Sequence, residues 1–204
     1  MSGAFSVDWT TRSVPVFEKY LAPFVGGPVV RGLEIGVLEG RTTCWLMENV
    51  LTHPASLLYC IDGFGGLYGV PELDNDNGMM NAERRWRENT EPYRARIKLV
   101  RHDTPVAFQS PIWGEVGEID FAYIDGCHRA DVVLSDLVHV VPKLSRSGVI
   151  ILDDYYWTDS PPELYNHVYM AMDAWWRCQM LAGMSWDMDI MGVCAILRRT
   201  QEPS

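Results

Sequence analysis

Two apolar runs in this chain end on acids. The stretch "EIDFAYIDGCHRADVVLSDL", residues 118 to 137, begins like a buried strand, meets Asp125, passes His128 and continues with helical spacing. "GVIILDD", residues 148 to 154, stops on the adjacent carboxylates Asp153 and Asp154. In an open parallel sheet ligands gather at the carboxyl ends of the strands, and neighbouring strands lie about 4.8 Å apart. If these two strands are neighbours, Asp125, Asp153 and Asp154 converge on one small volume, where like charges repel unless a cation or raised pKa values relieve them. Hard oxygen ligands suit magnesium, calcium or manganese rather than zinc. His128 can reach the same opening and, with an ordinary pKa of about 6.5, is a candidate base for a hydroxyl acidified by such an ion. The plainer reading, in which Asp125 opens a turn and Asp153 and Asp154 cap a helix, explains each residue alone better than it explains all three together.

A second constellation precedes these. "LEIGVLEGRTT" places Glu34 at the end of a strand, Gly36 and Gly40 in the following turn, and Thr42 and Thr43 near a helix start. A dinucleotide fingerprint needs G-x-G-x-x-G, whereas this loop is G-x-x-x-G with Leu38 in its middle, so a nicotinamide cofactor is disfavoured. Glu34 suits a cationic ligand, and the ammonium and sulfonium of S-adenosylmethionine are such charges, with helix-start N–H groups facing its polar atoms. Asp62, closing the next strand, stands where a carboxylate accepts both ribose hydroxyls.

Positioning these residues requires alternating elements. Val16, Phe17, Tyr20, Leu21 and Phe24 have helical spacing, and Gly26-Gly27-Pro28 ends that helix, which forms a cap over residues 1 to 28. The pattern then predicts a strand in "VVRGLEIGV", a helix from Thr42 to Leu51, and a strand in "SLLYCID". Residues 63 to 80, rich in Gly, Asn, Asp and Pro, read as a loop of the kind that forms lids. A charged helix near 79 to 92 follows, then strands near 97 to 101 and 119 to 125, a helix near 129 to 144 and a strand at 148 to 153. A helix with an aromatic face (Tyr165, Tyr169, Trp175, Trp176) and two short strands divided by Gly192 complete the chain. This is the α/β order of a Rossmann-like, doubly wound, mainly parallel sheet in one domain, closed by an antiparallel hairpin.

Composition narrows the partners. A net charge of -10 repels a phosphate backbone, and the modest basic cluster Arg84, Arg85, Arg87, Arg94, Arg96 and Lys98 alternates with acids as a solvated face does, so no nucleic-acid partner is expected. The five cysteines show no paired spacing, which fits a reducing cytoplasm. No apolar run approaches the roughly 20 residues that cross a bilayer. His139 falls within the helical pattern near 129 to 144, His53 and His167 have no suitably spaced partners, and all three read as structural.

Taken in order, "LEIGVLEGRTT", "YCIDGF", "RHDT", "YIDGCH" and "GVIILDDY" make the chain resemble the metal-dependent class I S-adenosylmethionine methyltransferases over about residues 30 to 157. Within that class it is similar to the macrocin and mycinamicin sugar O-methyltransferases and, more distantly, to catechol O-methyltransferase. The resemblance implies a mainly parallel sheet of seven strands with the last antiparallel. It implies that Glu34, Gly36, Gly40 and Thr42 surround the methionine part of the cofactor, with Asp62 on the ribose and Asp103 near adenine. Leu38, Gly63 and Asp125 line the same site. It further implies that Asp125, Asp153 and Asp154 hold a divalent ion, usually magnesium, and that His128 is the general base, a place held by lysine in the catechol enzyme and by histidine in part of the sugar branch. Cys127 stands where certain relatives carry another acid. Relatives commonly pair through helices, and the aromatic C-terminal helix offers a surface for a homodimer. The expected reaction is methyl transfer to a hydroxyl of a small molecule or sugar. A fold that binds S-adenosylmethionine or a nucleotide without transferring a group, and a metal-dependent hydrolase, are the competing readings; the latter leaves Glu34 and Asp62 without a role.

Overall fold

The computed structural model describes residues 4–64, 81–156 and 167–200. Among the described residues fourteen α-helices and strands follow one another: α1 (Val14–Tyr20), β1 (Arg31–Ile35), α2 (Arg41–Asn49), β2 (Leu57–Ile61), α3 (Ala82–Thr90), β3 (Ile97–Val100), α4 (Thr104–Ala107), α5 (Pro111–Glu115), β4 (Ile119–Ile124), α6 (Ala130–Val140), β5 (Leu144–Leu152), α7 (Val168–Leu181), β6 (Trp186–Met191) and β7 (Cys194–Arg199). The strands form one seven-stranded sheet in the order β3-β2-β1-β4-β5-β7-β6. Strands β1 to β5 are parallel, and β7 runs antiparallel to both β5 and β6. The mainly parallel sheet with an antiparallel last strand is therefore as expected.

Strand alternation assigns the two faces. Leu33, Ile35, Tyr59, Ile61, Ala122, Ile124, Ile150 and Leu152 share a core with Val133, Leu137 and Val140 of α6 and Ala171, Met172 and Trp175 of α7. Their sequence neighbours Leu58, Cys60, Phe121, Tyr123, Val149 and Ile151 point to the other side, against Val16 and Phe17 of α1, Trp45 and Leu46 of α2 and Trp86 of α3. Each fully buried apolar side chain contributes about 1.5–3 kcal/mol relative to exposure, so the central strands fix their register through both faces. Chain order reverses direction across the sheet between β1 and β4, the place where open α/β sheets leave a crevice beyond their carboxyl ends.

Three details depart from the sequence reading. β5 starts at Leu144 rather than 148, because Leu144 and Ser145 are buried ahead of an irregularity in its pairing with β4. The helix expected to reach 144 ends as α6 at Val140 and tightens into a 3-10 turn over Val141–Lys143. Helices α4 and α5 were not anticipated: at four and five residues they are too short to show a hydrophobic period. The local signals were nonetheless present, since Ser110 accepts a hydrogen bond from Trp113 N at 3.1 Å and Pro111 follows it at the first helical position. Most of the Gly- and Asn-rich run, residues 65–80, lies outside the described residues, as do Trp157 and Tyr165. None of the described helices is long and apolar enough to cross a membrane. All five cysteines are free.

Candidate active site

The turn after β1 is built around contacts that exclude side chains. Gly36 has φ +84°, and a Cβ added there would lie 2.0 Å from the Asp125 carbonyl oxygen, so the tips of β1 and β4 touch through main chain. Gly40, also at φ +84°, precedes α2 and has no room for a Cβ beside the Trp86 ring. Leu38 holds a positive φ of 46° between them. Asp62 fastens this turn: its Oδ2 accepts from Val37 N at 2.8 Å and Leu38 N at 3.1 Å, and its Oδ1 from Phe64 N at 2.8 Å. Burial still raises its pKa despite those three donors. Each carboxylate oxygen has two acceptor directions, so a ribose here would share Asp62 with the turn. Next along the sheet, the Asp103 carboxylate packs onto Gly63, where a Cβ would lie 2.2 Å from its Oδ1. The turn after β2 and the start of α4 thus meet as one wall.

Glu34 sits under the turn. It is 0% exposed. Its Oε2 accepts from Thr43 Oγ1 at 2.7 Å, and Thr43 Oγ1 in turn accepts from Trp86 Nε1 at 3.3 Å. Oε1 has no hydrogen-bond partner among the described residues. Burial pushes the Glu34 carboxyl up to about 8; the Thr43 hydroxyl pulls the other way, and the charges of Asp125 and Asp62 add to the rise. That rise favours the protonated carboxyl, a buried donor and acceptor beneath the turn. Thr42, one residue earlier in α2, exchanges a 2.8 Å hydrogen bond with Thr10.

The acids after β4 and β5 lie side by side, because those strands are paired with Ile124 opposite Leu152. The structure divides them into two kinds. Asp153 has a side chain 0% exposed and is committed to internal partners. Its Oδ2 accepts from Tyr123 Oη at 2.6 Å and Arg12 Nη2 at 3.3 Å, and its Oδ1 accepts from Asp154 N at 2.9 Å and Cys194 Sγ at 3.3 Å. Asp125 and Asp154 instead offer oxygens to a common space with His128, whose Nε2 lies 3.6 Å from Asp125 Oδ1 and 3.7 Å from Asp154 Oδ2. One ligand atom from each of Asp125, His128 and Asp154 falls within 4.8 Å of the others. Asp154 reaches this position with φ +52°, a left-handed conformation that aspartate tolerates better than most residues.

Two functional neighbours escaped the sequence reading. The Tyr123 hydroxyl lies between Asp153 Oδ2 and Asp125 Oδ2, the latter at 3.0 Å; having one proton, it serves one carboxylate fully. Residues 123 and 125 share a face of β4 by simple alternation, and that was the available signal. Arg12 had none. It comes from the segment before α1, and its Nη2 lies 2.7 Å from Asp154 Oδ1.

The cluster is electrostatically tense. Burial, then the charge of Asp153, pushes the Asp125 carboxyl upward, partly offset by His128. Burial and Asp153 also raise Asp154. Burial pulls the His128 imidazole down, but Asp125 and Asp154 more than offset it and the net direction is up. The Asp125 and Asp154 carboxylate oxygens, close together and carrying negative charge that Arg12 only partly meets, are donors fit for a hard divalent ion, with the His128 imidazole beside them. The remaining histidines are placed elsewhere: His139 stacks on Phe108 at 4.3 Å, His53 Nδ1 accepts from Ala55 N at 3.1 Å, and His167 donates its backbone N–H to the His128 carbonyl at 3.1 Å. The basic residues of α3 are ion-paired, Arg84 with Glu88, Arg87 with Glu83 and Arg85 with Glu39.

A glycine turn at the reversal point of a seven-stranded sheet, closed by an antiparallel strand and flanked by acids at successive strand ends, defines a Rossmann-like methyltransferase architecture. Residues 33–155, more than half of the chain, match the family described as "Methyltransferase domain", and the chain belongs to that family. Among solved structures it is similar to a putative O-methyltransferase from Klebsiella pneumoniae, with 13% identity, a TM-score of 0.62, and coverage of 97% of this chain and 83% of that one. It is similar to the MycE methyltransferase of the mycinamycin biosynthetic pathway, solved with Mg, SAH and mycinamycin VI, at 16% identity and a TM-score of 0.61, covering 97% of this chain and 51% of that one. A putative rRNA-methylase from Clostridium thermocellum shares the fold at 11% identity and a TM-score of 0.63, covering 98% of this chain and 100% of that one. No curated protein matches significantly in sequence.

Proposed function

We propose that the protein is an S-adenosylmethionine-dependent O-methyltransferase assisted by a divalent cation and acting on a hydroxyl of a small molecule or sugar. The observation that carries this reading is the meeting of Asp125, His128 and Asp154 ligand atoms within 4.8 Å, beside the glycine turn. The turn around Gly36, Leu38 and Gly40, with Glu34 beneath it and Thr42 at the helix start, would receive the methionine end of the cofactor; Asp62, Gly63 and Asp103 would receive the nucleoside. The adjoining Asp125 joins the two halves of the site.

Asp125 and Asp154 would hold the cation, with Asp153 supporting Asp154 from behind. A bound magnesium or similar ion supplies positive charge that acidifies a hydroxyl and favours the alkoxide. His128, within reach of both carboxylates, accepts the hydroxyl proton at Nε2. S-adenosylmethionine would supply an electrophilic methyl group, which the acceptor oxygen would take while sulfur keeps the electron pair of the broken carbon–sulfur bond. The protein's share is chiefly positioning of the reacting atoms. A net charge of -10 opposes a nucleic-acid acceptor, and free cysteines fit a cytoplasmic setting.

The test is methyl transfer from S-adenosylmethionine to a panel of sugar and phenolic hydroxyls, with and without magnesium. Asp154→Ala is expected to lose at least a hundredfold of the metal-stimulated rate, while calorimetry still shows cofactor binding. Full turnover of the unaltered enzyme in EDTA would remove the cation from the mechanism.

A further inference from the structure

The acid cluster carries a cation of its own. Arg12 Nη2 lies 2.7 Å from Asp154 Oδ1 and 3.3 Å from Asp153 Oδ2, bridging the two carboxylates that end β5. The guanidinium is permanently charged, so it keeps its charge at any pH at which the protein folds. We propose that Arg12 is a resident counter-cation that opposes a divalent ion held by Asp125 and Asp154 and thereby sets the affinity of the site for metal; the inference rests on the metal-assisted reading above.

The local structure favours a side chain that can move on a fixed anchor. Thr10 is buried and hydrogen-bonded to Thr42 at 2.8 Å; Ser13 is buried and donates its backbone N–H to Thr10 O at 2.9 Å. The main chain on both sides of Arg12 is therefore held. Its side chain is 41% exposed, which leaves the guanidinium room to turn outward. A divalent ion touching Asp154 would stand against this charge. Either the guanidinium swings outward and gives up both carboxylates, or it stays and repels the ion across a partly buried gap; both cases weaken metal binding. In the absence of metal, the same contact spares Asp153 from being a buried carboxylate without a cation, which is strongly destabilising when a partner is removed.

The experiment is calorimetric titration of Mn2+ into the full chain and into Arg12→Gln, Arg12→Lys and Asp154→Ala, with melting temperatures recorded with and without Mn2+. Arg12→Gln is expected to bind Mn2+ about tenfold or more tightly than the unaltered protein, within the usual range of coupling between two ligands of one protein. Arg12→Lys, which keeps the charge, should stay much closer to the unaltered protein. Metal-free Arg12→Gln should melt lower, and Mn2+ should narrow the gap. Equal or weaker Mn2+ binding by Arg12→Gln, with binding still abolished by Asp154→Ala, would overturn the opposition while leaving the metal site intact. Absence of Mn2+ binding in both the unaltered protein and Arg12→Gln would overturn both readings.

Discussion

At the residue scale the cluster depends on a phenol. Tyr123 projects from β4 on the α1–α3 side, its ring edge-on to Phe17 at 4.9 Å, and its hydroxyl donates to Asp153 at 2.6 Å. A carboxylate with no exposed surface needs such donors, and losing one leaves an unsatisfied buried acceptor. Tyr123→Phe keeps the ring and is expected to destabilise the protein by about 1–3 kcal/mol in chemical denaturation. An unchanged midpoint would mean that Arg12, the Asp154 amide and Cys194 satisfy Asp153 alone. Asp125, His128, Asp153 and Asp154 were legible because an acid at the end of an apolar run contradicts the run. Their division into two kinds was not, since it is set by Tyr123 and Arg12. The contact between Arg12 and Asp153 spans 141 positions, and no local pattern reports it.

At the element scale α6 contains a buried acid that the proposed chemistry does not use. Asp136 is 0% exposed, and neither oxygen has a hydrogen-bond partner among the described residues. Burial pushes it up to about 7, and the nearby Thr104 hydroxyl eases this without offsetting it. The sign follows from proton counting. Between about pH 4 and 7 the unfolded chain, with an ordinary Asp pKa of about 3.9, has released this proton while the folded chain keeps it. Folded stability therefore falls as pH rises through this window, then levels off above about pH 7. The gap corresponds to a cost on the order of 4 kcal/mol at most. Asp136→Asn is expected to stabilise the protein by a few kcal/mol at pH 8 and by almost nothing near pH 4, as read from urea melts at both values. A gain of equal size at both would assign the effect to packing instead. Long periodic helices such as α7 were legible in sequence, whereas α4, opposite Asp136, was not, and so the burial of residue 136 was hidden with it.

At the scale of the whole molecule, the strand order is what brings distant acids together. The alternation of strands and helices implied parallel neighbours, and Gly192 marked the terminal hairpin, but insertion of β7 between β5 and β6 is a matter of pairing that composition does not encode. The resemblance to a known family supplied only that the last of seven strands is antiparallel. The hairpin is tied to α7 by Trp175 against Trp186, with ring centroids 4.9 Å apart. Trp175 is almost fully buried, so Trp175→Ala is expected to cost about 3–5 kcal/mol of unfolding free energy. A loss below about 1 kcal/mol would show that this end collapses around the gap.

The contact between Gly36 and the Asp125 carbonyl has a consequence for how such a scaffold can diversify. Because two backbones meet there with nothing between them, the spacing from the glycine turn to the first acid of the cluster is a property of peptide geometry. Mutation can reshape the walls on either side of that joint without stretching the distance between the turn and the acids.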